Sequence, residues 1–166
     1  DSTDISVRFK ASGKPADFQM RIMYDVAHHE QSKDTNRDFM HGEKLDGFMS
    51  EDEVAAAAIL VNLFDGGPKS KVSYRVNDGN YVPMERVLRT DPYIVEQFQR
   101  YESVKKSWVQ ATDSTHIFSA DLDDSISRGT HTVTVRAIDE FGRVHHGHSI
   151  LEITGGMRGT EAAVKY

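Results

Sequence analysis

Apolar and polar residues alternate with a period of two near the start of the chain, where Ile5, Val7 and Phe9 interleave with Ser6, Arg8 and Lys10. Successive side chains of a strand point to opposite faces, so the pattern predicts a strand with one apolar face. Phe18, Met20, Ile22, Tyr24 and Val26 repeat it against Gln19, Arg21 and Asp25, and Gly13 and Pro15 between the two segments mark a turn. The chain is expected to open on a hairpin. Periodicity is then lost over residues 27–53, where charge accumulates. A stretch of that length without pattern reads as a long acidic surface loop.

The next segment carries two signals. Ser50 and Glu53 have the spacing of a capping box and the alanine run Ala55 to Ala58 favours helix, whereas Ile59, Val61 and Leu63 before Asp65-Gly66-Gly67-Pro68 look like a buried strand entering a turn. A strand from about Val54 to Phe64 is the reading adopted. Val72, Tyr74 and Val76 alternate with Lys71, Ser73 and Arg75, and Asn77-Asp78-Gly79-Asn80 supplies residues that tolerate positive φ in a tight turn before Tyr81 to Met84. Asp91-Pro92 is a cap followed by proline at the first helical position, and Ile94, Phe98, Tyr101 and Lys105 continue at helical spacing. This predicts one amphipathic helix over about 92–106.

Alternation returns in His116, Phe118, Ala120 and Leu122, and again in His131, Val133, Val135 and Ala137 after a turn at Arg128-Gly129. Asp139-Glu140-Phe141-Gly142 reverses the chain into a last strand ending at Ile153. Roughly seven strands with turns between them, and no alternation of strands with helices, predict a mostly β fold. The expected architecture is an antiparallel β-sandwich of the immunoglobulin or fibronectin kind, forming a single domain over residues 1–154. Residues 155–166 are expected to be a tail, either a loose end or an added edge strand.

Composition narrows the function classes. The 166 residues include 38% hydrophobic and 28% charged residues, a globular balance of about one domain. The formal net charge is −6 with no Lys or Arg cluster, which repels phosphate backbones and argues against a nucleic-acid partner. No run of about 18 apolar residues exists to cross a membrane as a helix, so membrane insertion is not expected. Cysteine is absent, which removes disulfides, thiolate nucleophiles and zinc–thiolate sites together. Because the sequence opens at Asp1 without methionine, it is expected to be a piece of a longer protein.

Few residues group into recognisable chemistry. His145, His146 and His148 are close enough in sequence to suggest zinc or copper, but on a strand only His146 and His148 share a face, and zinc usually takes three or four convergent ligands. An exposed edge strand is the simpler reading. Asp34, Asn36 and Asp38 open like a calcium loop, yet the sixth position is Phe39 and the twelfth Leu45, where glycine and a bidentate glutamate are needed. A solvated acidic loop is the simpler reading there. Asp121, Asp123 and Asp124 sit where aspartates usually bond turn backbone, and His131 reads as a hydrogen-bonded core histidine. Tyr93, Tyr101 and Trp108 could form a sugar-binding platform, although aromatics at helical spacing are usually core. No nucleophile elbow and no phosphate-binding glycine loop is present.

Several segments in order resemble the domain that follows the catalytic domain of bacterial calcineurin-like metallophosphoesterases. They are Phe18-Gln19-Met20, Val61-Asn62-Leu63-Phe64 with Gly66, Val72 through Pro83-Met84-Glu85-Arg86, Asp91-Pro92-Tyr93, Ser114-Thr115-His116, and Gly129 through Asp139 with Phe141-Gly142-Arg143. The resemblance implies an extracytoplasmic protein, periplasmic or at the cell surface, whose catalytic part hydrolyses phosphate esters with two divalent metal ions. None of that part's ligand motifs is here: Gly79-Asn80 is followed by Tyr81, Gly147-His148 by Ser149-Ile150, and no Gly-Asp dipeptide occurs. The expectation is a non-catalytic module with no cofactor of its own. Its partner would be its own catalytic domain, docked through a surface including Tyr81, Met84, Tyr93 and Trp108, the helix from Asp91 to Lys106 and its flanking loops. A separate surface-glycan or glycolipid-binding role is the alternative.

Overall fold

The computed structural model describes residues 14–15, 17–26 and 46–155. The expected strand Ile5 to Phe9, the loop residues Asp34, Asn36 and Asp38, and residues 156–166 of the tail lie outside them. Among the described residues eight strands and two helices follow in the order β1 (Met20–Val26), β2 (Phe48–Ser50), α1 (Glu51–Val54), β3 (Ala57–Leu63), β4 (Lys71–Val76), β5 (Val82–Thr90), α2 (Pro92–Arg100), β6 (Asp113–Asp121), β7 (Gly129–Ile138) and β8 (Val144–Thr154).

The strands hydrogen-bond into one eight-stranded sheet in the order β1-β3-β6-β5-β4-β7-β8-β2, curled into a half-barrel. The mostly β expectation holds. The wholly antiparallel expectation is corrected, because β2 runs parallel to β8 with Phe48 opposite Glu152 and Ser50 opposite Thr154. The strand order also gives one curled sheet where an immunoglobulin- or fibronectin-like sandwich of two sheets was expected. β5 makes the curl: its start pairs with β4 (Tyr74 opposite Val82, Val72 opposite Met84), and its later residues pair with β6 from Glu85 opposite Ser119 onward. The register shifts between Val87 and Arg89, and an irregularity of that kind bends a strand and strengthens its twist.

Curling brings the ends of the sheet together around one core. Tyr24, Ile59, Val61 and Phe118 from one half meet Tyr74, Val133, Val135, Leu151 and Ile153 from the other, with Met49 of β2 closing one end. Each such side chain removed from water contributes roughly 1.5–3 kcal/mol. Burial also pushes the Tyr24 hydroxyl up to about 12, so the phenol stays neutral. Two glycines permit close approaches here, Gly147 of β8 to β1 and Gly47, before β2, to both strands. At Gly147 a Cβ would lie 2.7 Å from Met20 Sδ, and at Gly47, whose φ is +95°, it would lie 2.5 Å from the Ile150 carbonyl oxygen and 2.7 Å from the Tyr24 ring. A smaller cluster of Met23, Leu60 and Ile117, with Val87 and Tyr93 against it, occupies the opposite face of β1, β3 and β6.

The capping box and the buried strand at residues 50–64 both form, but the helix stops at Val54 before the alanine run and the strand starts at Ala57, three residues later than expected. Ser50 N donates to Glu53 Oε2 at 2.9 Å and caps the single turn of α1, after which the chain extends into β3. The hairpin at residues 77–80 forms as its residues predict, with Asn77 at φ 51°. The helix is shorter than its periodicity suggests, ending at Arg100. Tyr101 leaves helical geometry at φ −105°, ψ 19°.

Candidate functional site

The residues expected on a docking surface do not lie together. Met84 is only 7% exposed and faces Val72 across the β4–β5 pair, so its expected surface role is corrected to one in the core. Tyr81 precedes β5 and is exposed, with the Arg75 guanidinium 5.2 Å from its ring. Tyr93 and Trp108 follow the other end of that nine-residue strand. Tyr93 is half-buried under Arg21, whose guanidinium lies 3.5 Å from the ring centroid and covers the face a sugar would stack on. Trp108 is 75% exposed and Tyr101 54%, which overturns the expectation that aromatics at this spacing are core. Val104, between them, is 77% exposed.

The register of β8 separates the histidines as expected. His146 pairs with Arg136 and His148 with Thr134, on the face that also carries Ile150, while His145 points the other way. His148 Nδ1 lies 3.3 Å from Thr134 Oγ1. Among the described residues no group of three or more His, Cys, Asp or Glu side chains could hold a metal ion, so the donors here do not fit the two-metal centre the resemblance implies for the parent enzyme. Asp123 performs turn chemistry: it accepts from Ser125 N at 2.8 Å, and the Ser125 side chain and backbone hold its carboxyl below the ordinary range. His131 is hydrogen-bonded as expected, to Asn77 Nδ2 at 3.0 Å and the Ser127 carbonyl at 2.7 Å, but it is half-buried at the rim rather than in the core.

The segments that carry the resemblance converge on structural joints. Asp91, 3% exposed, caps α2 by accepting from Tyr93 N at 2.9 Å, and its other oxygen accepts from Asn62 Nδ2 of β3 at 2.5 Å. The helix is thereby pinned to the sheet by its N-terminal capping residue. Beside this joint His116 Nδ1 donates to the Gly66 carbonyl at 2.5 Å, and Arg86 Nε donates to the Thr115 carbonyl at 2.7 Å.

A second joint sits at the β7–β8 turn. Asp139, 5% exposed, accepts from Phe141 N and Arg143 N at 2.9 Å, from Arg143 Nε at 2.5 Å and from His145 Nε2 at 3.1 Å. Burial acts to raise its pKa, but the donors from His145, Arg143 and Phe141 outweigh that and hold the carboxyl at about 2. Neighbouring Glu140 accepts from Lys69 N at 3.0 Å, tying this turn to the β3–β4 corner. Sequence reading saw the turn but missed the convergence of Arg143 and His145. A carboxylate with four donors and no open side is a fastener rather than an acid or base.

The family model for the C-terminal part of calcineurin-like phosphoesterase matches residues 1–145. The chain belongs to that family. The resemblance read from the sequence is therefore correct, and the chain is the region that accompanies the catalytic domain of a calcineurin-like phosphoesterase, without that domain itself. Comparison with curated protein sequences and with solved structures gives no significant match. In a C-terminal region of a calcineurin-like phosphoesterase the joints at Asp91 and Asp139 have a plain meaning: they hold α2 against β3 and fix the β7–β8 turn.

Proposed function

We propose that this chain is a non-catalytic accessory domain of a secreted bacterial calcineurin-like phosphoesterase, packing on the metal-dependent phosphohydrolase domain and supporting it. Residues 1–154 form the module in this reading and 155–166 its tail. The observation that carries it is the family match over residues 1–145 on a sequence with none of the Asp-x-His, Gly-Asp-x-x-Asp, Gly-Asn-His or Gly-His-x-His motifs that build a two-metal site. The buried polar groups support the same reading, since Asp91 and Asp139 are spent on holding α2 and the β7–β8 turn. An extracytoplasmic location follows from the resemblance to secreted members and is part of the proposal. The test is hydrolysis of a chromogenic phosphate ester with added manganese. This chain should show no turnover above buffer while the parent phosphoesterase does; turnover by the chain comparable to the parent's would overturn the proposal.

A further inference from the structure

We infer that the cavity between α2 and the start of β6 is a binding site for a small organic cation, an ammonium or guanidinium group on a short apolar stem. The inference goes beyond the accessory reading and does not depend on it. The cavity has a volume of about 410 Å³, within the range of pockets that hold small ligands, and is lined by Asn62 of β3, Asp91 at the head of α2 and the stretch Gln110 to His116 that leads into β6. Charge selects what it takes. The lining carries two carboxylates, Asp91 and Asp113, and among the described residues no lysine or arginine. The register sets them side by side: Asp113 lies opposite Thr90, whose hydroxyl donates to Asp113 Oδ1 at 2.8 Å, and Asp91 is the residue after Thr90. Asp91 accepts only from the neutral donors Asn62 Nδ2 and Tyr93 N, and Asp113 only from that hydroxyl. Both are held in place, yet neither charge meets a cation among the described residues. A buried charge is ordinarily paired as well as hydrogen-bonded, and Asp91 is buried.

Free acceptors accompany the charge. His116 Nδ1 donates to the Gly66 carbonyl, which leaves Nε2 of the neutral ring an acceptor without a partner, and Asn62 Oδ1 is likewise unengaged. An ammonium or guanidinium supplies what this lining lacks, several N–H donors and a positive charge. An anion would meet like charge there. The stem has its own surface, because Ile94 and Phe98, four residues apart on α2, add an apolar wall to the same cavity. Lys105 does not fill the place. Its Nζ lies 6.0 Å from the Phe98 ring centroid, but it is committed to Glu102 at 3.2 Å and to the Val109 carbonyl at 2.8 Å, and Lys105 is not part of the lining. The two carboxylates are left for a cation from outside.

The test is NMR titration of this chain with n-butylguanidinium, with its neutral analogue n-butylurea and methyl α-glucopyranoside as controls. The guanidinium should shift the amides of Thr112, Ser114, Thr115 and His116 saturably with a Kd of about 5 mM or below, and neither control should. Asp113→Asn keeps an oxygen for the Thr90 hydroxyl and should weaken binding about tenfold, while Thr112→Lys, which places a resident ammonium at an exposed position, should abolish it. Raising salt from about 0.05 to about 0.5 M should weaken it severalfold. The intact parent phosphoesterase separates two sources of the same chemistry. A probe that binds both chain and parent marks a free small molecule as the natural ligand; one that binds the chain alone, with residues 110–116 protected from hydrogen exchange in the parent, marks a basic side chain of the catalytic part. Either result supports the site. No saturable shift up to about 50 mM, undiminished binding by D113N, or equal binding of n-butylurea or the glucoside overturns the inference and leaves the accessory reading standing.

Discussion

Replacing Asp139 by asparagine tests the view that the β7–β8 turn is a buried fastener. The amide side chain would keep one oxygen for the Phe141 and Arg143 backbone amides, but its NH₂ would face Arg143 Nε or His145 Nε2, setting donor against donor where the carboxylate accepts at 2.5 and 3.1 Å. The pKa displacement gives the scale. Lowering a carboxyl from 3.8 to about 2 corresponds to about 2.5 kcal/mol of folding stability. Because the folded value is depressed, this contribution is fully present above the unfolded pKa and is lost as pH falls through about 2. D139N should therefore lower stability at pH 7 by about 2–4 kcal/mol, which moves a urea midpoint by about 1–2 M. The gap between wild type and variant should narrow between roughly pH 4 and pH 2. A midpoint shift under about 0.3 M at pH 7, or a gap unchanged at about pH 2.5, would refute the assignment.

Gly47→Ala adds a Cβ 2.5 Å from the Ile150 carbonyl oxygen at a backbone φ of +95°, and should cost about 2–3 kcal/mol, read as a lower thermal midpoint. An unchanged midpoint would show that the chain entering β2 does not lie against Ile150 and Tyr24 as described. Asp91→Ala removes both the α2 cap and the acceptor of Asn62, and should cost about 1.5–2 kcal/mol with faster amide exchange across Pro92–Arg100. Exchange in α2 no faster than in wild type would show that the helix is held by something else.

Much of this fold is legible residue by residue. Asn77-Asp78-Gly79 announces the β4–β5 turn because few residues accept positive φ, and Asn77 adopts it at 51°. Asp91-Pro92 announces the start of α2 for an equally local reason. The end of α2 is not announced. Tyr101 and Lys105 continue the helical period, but Tyr101 and Val104 have no surface within the described residues to pack against, and periodicity alone does not hold a short helix in water.

Features that depend on distant partners were equally hidden. β2 is three residues long, too short to show alternation, so its parallel pairing with β8 has no sequence signal. Nothing in Val82 to Thr90 declares that one strand serves both halves of the sheet. Met84 could have been placed correctly, since counting back through the turn sets it opposite Val72, which alternation already put in the core. For the site, the missing ligand motifs and the family resemblance were readable. The segment Asp91 to Lys106 was readable as a candidate contact surface, but the end of its helix at Arg100 and the exposure of Tyr101, Val104 and Trp108 were not, because the same apolar spacing serves a buried helix face equally well.

Whether this domain packs on and supports a phosphohydrolase domain can be decided by calorimetry of the parent phosphoesterase with and without this region. Joined, the catalytic domain should unfold several degrees higher than it does without the region, in a transition coupled to that of the accessory domain. Two independent transitions, each at the temperature of its separated piece, would show that the two domains neither pack on nor support one another.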